Sequence, residues 1–103
     1  MTIDVQMQQK WEEVEATKLK RSKLFSDEMK NRDQIAALYF EVEILKLQYM
    51  FLKREQLAQL RLSAADPKFV QSVEQVNETC IDLALKELVE NGYQARLEEL
   101  KLL

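Results

Sequence analysis

The sequence predicts an all-α protein: a helical hairpin or a three- to four-helix bundle of long, antiparallel, coiled-coil-like helices, with a second copy able to complete it. Three observations carry this expectation. One Gly and one Pro stand in 103 residues, too little punctuation for the turns of a β fold. The chain is 47% apolar and 32% charged, the balance of long helices and coiled coils. Apolar residues also recur at three- and four-residue spacing along most of its length, the period of an amphipathic helix. A chain of this size makes one domain with a modest core. Residues 1–103 therefore read as a single helical domain with helices over about 3–30, 34–62, 67–90 and 93–102.

The first helix opens at Thr2, a residue that can accept from the free N–H groups of a first turn. Ile3, Met7, Trp11 and Val14 then form one helical stripe. The stripe lapses where Lys18, Lys20, Arg21 and Lys23 form a basic run, and it resumes at Phe25 and Met29. Residues 26–34 are polar and contain Ser26, Asp27, Asn31 and Asp33, all poor helix formers. Asn31 and Gln34 have the spacing of a capping box for a second helix. Two arrangements fit these residues. Either the chain turns here into a hairpin, or one continuous helix of roughly 90 Å covers residues 3–62 at 1.5 Å per residue.

The second helix carries two apolar rows on nearly opposite sides. One is Ile35, Leu38, Val42, Leu45, Tyr49 and Leu52; the other is Ala37, Phe40, Ile44, Leu47, Phe51 and Ala58. A surface helix needs one such stripe, so two place this helix between neighbours. Its most apolar window, 35–52, still contains Glu41, Glu43, Lys46 and Gln48. Charges there would cost roughly 2.5–3.5 kcal/mol each inside a bilayer, which excludes a membrane span.

Asp66 followed by Pro67 marks a helix start, because Asp caps well and Pro fits the first helical position. The stripe of this third helix is Phe69, Val73, Val76, Cys80, Leu83 and Ala84, widened by Val70, Ile81 and Leu88. Cys80 reads as a small hydrophobe packed in that stripe. Asn77 lies within the same stripe, where it either fixes register and oligomer state or reaches water at the stripe's edge. Asn91 and Gly92 stop the helix, Gly supplying the left-handed cap. Tyr93, Leu97 and Leu100 share one side of a last short helix.

The composition also excludes chemistry. There is no His, so the commonest general base and metal ligand is missing. A single Cys builds no zinc site and no internal disulfide. No Gly-rich segment is present to cradle a phosphate. Glu12, Glu13 and Glu15, or Glu41 and Glu43, diverge around a helix at their spacing and form no acid–base pair. The expectation is a protein that is not an enzyme and that has no cofactor, no metal site and no small-molecule substrate. With one Cys and no secretory pattern at the N-terminus, the expected compartment is the cytoplasm.

Function is then expected to reside in binding. The apolar side chains exceed what one thin bundle covers, and large exposed patches mark interfaces. The reading is a protein-protein interaction module, an adaptor, assembly factor or secretion-type chaperone. It would hold a protein partner or a second copy of itself through Trp11, Phe40, Leu45, Tyr49, Phe51 and Leu52. The alternative is a small regulator that contacts nucleic acid through Lys18, Lys20, Arg21 and Lys23. A net charge of −3 gives no overall attraction to a polyanion, and no aromatic residue interleaves with the run, so a protein partner leads.

Overall fold

A computed structural model describes residues 2–103. It contains α1 (Ile3–Leu24), a short 3-10 turn (Phe25–Asp27), α2 (Arg32–Ser63), α3 (Pro67–Glu90) and α4 (Gln94–Glu99). There is no strand among the described residues. α1 packs along α2, and α2 packs along α3. The result is an elongated all-α bundle of 54 × 26 × 21 Å with α2 as its central helix.

The chain turns between α1 and α2, so the continuous 3–62 helix does not form. Polar side chains cause the break by bonding nearby backbone instead of leaving it to the helix. Asn31 Nδ2 donates to the Leu24 carbonyl across 3.0 Å, holding the end of α1 against the start of α2. The Lys30 N–H donates to Asp27 Oδ1 at 3.3 Å. α1 consequently ends at Leu24, short of the expected residue 30, and α2 begins at Arg32. The capping box is not formed either, since the Asn31 side chain is turned back to Leu24 and makes no cap bond. At the other end of the hairpin Thr2 caps as expected, Oγ1 accepting from the Val5 N–H at 3.3 Å.

Both rows of α2 find a neighbour. The Trp11 and Tyr49 rings meet at 5.4 Å between centroids, and Gln56 Nε2 donates to Asp4 Oδ1 at 2.7 Å. These contacts tie α1 to one side of α2, where Val14 and Val42 are buried. The opposite row supplies the main core: Phe40, Ile44 and Leu47 pack with Ile81 and Leu88 of α3 and Leu97 of α4. Leu57 is buried as well.

α3 is rotated relative to the sequence expectation. Val70, Asn77, Ile81, Ala84 and Leu88 turn inward, whereas Phe69, Val76, Cys80 and Leu83 are exposed. Polar cross-links between α2 and α3 fix this rotation. Asn77 is buried and its Nδ2 donates to the Met50 carbonyl at 3.0 Å. Arg54 Nη2 reaches Glu78 Oε2 at 2.8 Å, and Arg61 Nη1 lies 3.5 Å from Glu74 Oε1. Asn77 therefore sets register within the chain, and Cys80 is a free surface thiol instead of a packed one. Replacing Asn77 by Ala is expected to destabilise the fold by roughly 1–3 kcal/mol, the cost of removing a buried hydrogen-bond partner. Urea unfolding of Asn77→Ala would show this as a lowered midpoint at unchanged slope.

α3 ends in a Schellman arrangement. Gly92 sits at φ 90°, its N–H donates to the Val89 carbonyl and the Tyr93 N–H to the Leu88 carbonyl, both at 3.0 Å. That reversal brings Tyr93 onto Phe40, with ring centroids 4.5 Å apart, and carries Leu97 into the core. Arg96 lies 4.7 Å above the Phe40 ring. α4 stops at Glu99, earlier than expected, because Lys101 takes a left-handed conformation (φ 59°) and the Leu102 N–H closes back on the Leu97 carbonyl.

Candidate functional site

The residues expected to bind a partner fall mostly on faces that the chain covers itself. Phe40 is 5% exposed and belongs to the core. It has no surface to offer, because Tyr93 and Arg96 cover the side that Leu97 and Leu88 do not. Leu45, Tyr49, Phe51 and Leu52 are half-buried. Trp11 keeps 41% of its surface, with Tyr49 on one side and the Lys18 ammonium 5.8 Å from the ring. Leu52 and Phe51 line a shallow groove between α1 and α2, where Gln9, Lys10 and Glu13 form the facing wall.

The basic run is not assembled into one site. Lys18 is 3.9 Å from Glu15, and Arg21 lies 5.9 Å over the Tyr39 ring, so both lean on neighbours. Burial first, then the nearby carboxylates of Glu43 and Glu87, hold the Tyr39 hydroxyl above the usual tyrosine range, with Arg21 opposing them. Lys20 and Lys23 are exposed. Among the described residues there is no cluster of three or more potential metal ligands, and no helix is long and apolar enough to cross a membrane.

A row of apolar side chains stands exposed along the outer face of α3. Phe69, Val76 and Leu83 are 68%, 64% and 60% exposed, and the Cys80 thiol is exposed among them. With the half-buried Val73 they follow the rhythm 69, 73, 76, 80, 83, alternating four and three. That alternation of four and three is the rhythm that apolar positions follow in heptad repeats. The other exposed apolar residues of the helices, such as Val5, Leu19 and Leu60, do not form such a row.

Sequence reading found these residues but assigned them to the interior. α3 carries apolar residues over a wide arc, with the 69–76–83 row and the 70–77–81 row about 100° apart on the helix. Either row could face α2. The signals that decide between them are polar: Asn77 opposite the Met50 carbonyl, Glu78 opposite Arg54 and Glu74 opposite Arg61.

The Arg54–Glu78 pair also gives a pH dependence. Its hydrogen bonds to Arg54 hold the Glu78 carboxyl below the usual glutamate range, and the same contact raises Arg54. A carboxyl depressed on folding adds stability above its unfolded pKa, and that contribution is lost as pH falls through the folded value. Both side chains are about half exposed, so the effect is small. Wild type should be modestly more stable than Glu78→Gln at neutral pH. Thermal melts should converge once the pH drops below the glutamate range.

No family model matches this chain, and no curated protein or solved structure matches it either.

Proposed function

We propose that this chain is a helical protein-protein interaction module, an adaptor or assembly factor of the cytoplasm, which engages a partner helix along the outer face of α3. It performs no catalysis of its own in this reading. The observation that carries it is the exposed seam of Phe69, Val76 and Leu83, with Cys80 among them. A helix that leaves its heptad positions in water has surface suited to another helix. The α1–α2 hairpin, in contrast, has its two rows occupied internally and serves as the scaffold that presents α3.

Site-specific photo-crosslinking in the native host tests the reading. A crosslinker at Leu83 is expected to trap a protein adduct of defined mass. The same group at Glu12, exposed on α1, is expected to trap none. Adducts of equal yield from both positions, or from neither, would sink the proposal.

A further inference from the structure

We infer that Asn91 is a modification site of this chain, gated by the docking of α4: protected while the α3–α4 turn holds, and open to imide formation with Gly92 whenever α4 is released. Asn91 and Gly92 are adjacent and exposed at the end of α3. An asparagine side-chain amide is attacked by the backbone nitrogen of the residue that follows it, and glycine presents that nitrogen with no side chain in the way. The Gly92 nitrogen bonds to Asn91 Cγ, the Cγ–Nδ2 bond breaks, and the proton from Gly92 ends on the departing nitrogen, which leaves as ammonia. Water then opens the five-membered ring at either carbonyl, giving aspartate or isoaspartate. The reaction needs nothing beyond water.

The other asparagines set the contrast. Asn31 is followed by Arg32 and Asn77 by Glu78, whose side chains obstruct the same attack. Asn77 is also buried, with its amide bonded to the Met50 carbonyl at 3.0 Å. Asn91 alone combines exposure with a glycine neighbour.

The folded turn opposes the reaction in two ways. Imide closure needs the Gly92 nitrogen nearly eclipsed with Cβ of Asn91 about the Cα–C bond. Asn91 stands at ψ 6°, which turns that nitrogen more than a right angle away. The Gly92 N–H is also donated to the Val89 carbonyl at 3.0 Å, so the nitrogen cannot lose its proton in place. Both constraints belong to the reversal in which Gly92 takes φ 90° and the Tyr93 N–H bonds the Leu88 carbonyl. Docking of α4 holds that reversal, since Tyr93 stacks on Phe40 and Leu97 is fully buried in the core. α4 has six residues, too few to persist as an isolated helix, so undocking of Leu97 frees the turn. Terminal segments of this kind open without global unfolding.

The isoaspartate product cannot return to the closed form. It adds a methylene to the main chain, which moves Gly92 and Tyr93 out of register with the Val89 and Leu88 carbonyls. It also adds a negative charge at the C-terminal end of α3, where the helix dipole and the exposed Glu87 and Glu90 disfavour it. Modification thus turns a passing release of α4 into a lasting one and leaves Phe40 without its Tyr93 cover.

Incubation of the full chain at mildly alkaline pH, folded and in urea, tests this, with isoaspartate read by an isoaspartyl methyltransferase and located by peptide mass. In urea Asn91 should convert ahead of Asn31 and Asn77. In buffer its conversion should be about tenfold slower or more, because the fraction of time the turn is open sets the rate. Leu97→Ala should speed conversion about tenfold or more, up to the rate in urea, and the smaller cut Leu97→Val should speed it less. Leu57→Ala removes a buried leucine outside the core cluster around α4 and should leave the rate near wild type. Equal rates in buffer and in urea would overturn the inference, since the turn would give no protection. Equal acceleration by the Leu97 and Leu57 variants would overturn it too, because opening would then be global and α4 would gate nothing.

Discussion

Leu47→Ala is expected to cost roughly 2–5 kcal/mol, the range for truncating a fully buried leucine. Leu47 has no exposed surface and sits where all the core elements meet, among Phe40, Ile44, Ile81, Leu88 and Leu97. Removing three carbons there leaves a hole bordered by three helices, which α2 cannot close by shifting because α1 holds its other side. A domain of this size loses roughly 4–8 °C per kcal/mol, so the melting temperature should fall by on the order of 10–30 °C. Differential scanning calorimetry would measure it. A drop of only a degree or two would mean that α3 and α4 do not pack on this row.

Val76→Glu together with Leu83→Glu is expected to do the reverse, abolishing association while leaving the fold intact. Both residues are more than half exposed, so the folded chain accepts charge there at a cost within about 0.5 kcal/mol. In a closed seam each carboxylate would be taken out of water without a partner, a penalty of several kcal/mol. The association constant should fall at least 100-fold, equivalent to roughly 2.7 kcal/mol. Calorimetry and sedimentation on the same preparation separate the two effects. Loss of stability without loss of association would place the face in the interior.

The same pair of substitutions on α2 should behave differently. Tyr49 and Leu52 read from the sequence as binding residues, yet Tyr49 is packed on Trp11 and Leu52 lies in the groove beneath α1. Glutamates there would strike the α1–α2 packing. The double stripe of α2 was legible as a demand for two neighbours, and the chain supplies both. What periodicity left open was whether the first neighbour was available, because that depends on the turn at 25–31. That turn is held by side-chain bonds, Asn31 to the Leu24 carbonyl and the Lys30 N–H to Asp27, which no helical pattern encodes.

α3 shows the limit from the other direction. Its ends were plain in the sequence, since Asp66, Pro67 and Gly92 act locally through capping and backbone conformation. Its rotation was not. Hydrophobic period alone favoured the row through Phe69 and Cys80, whereas the packed row runs through Asn77 and Ile81. A buried Asn needs an acceptor, and Met50 of α2 provides one. Turning α3 to satisfy Asn77 and to pair Glu78 with Arg54 moves the more regular apolar row outward. Exposed apolar side chains are present along the chain, and a regular row of them lies on α3, whereas α2 exposes Leu60 and Leu62 near its end.

The exposure of that row can be measured at Cys80. The thiol should react with Ellman's reagent at close to its rate in denaturant, because it stands in water on the face of Phe69, Val76 and Leu83. A thiol that reacts only as fast as the native state unfolds would put Cys80 in the core and contradict the outward placement of this face of α3.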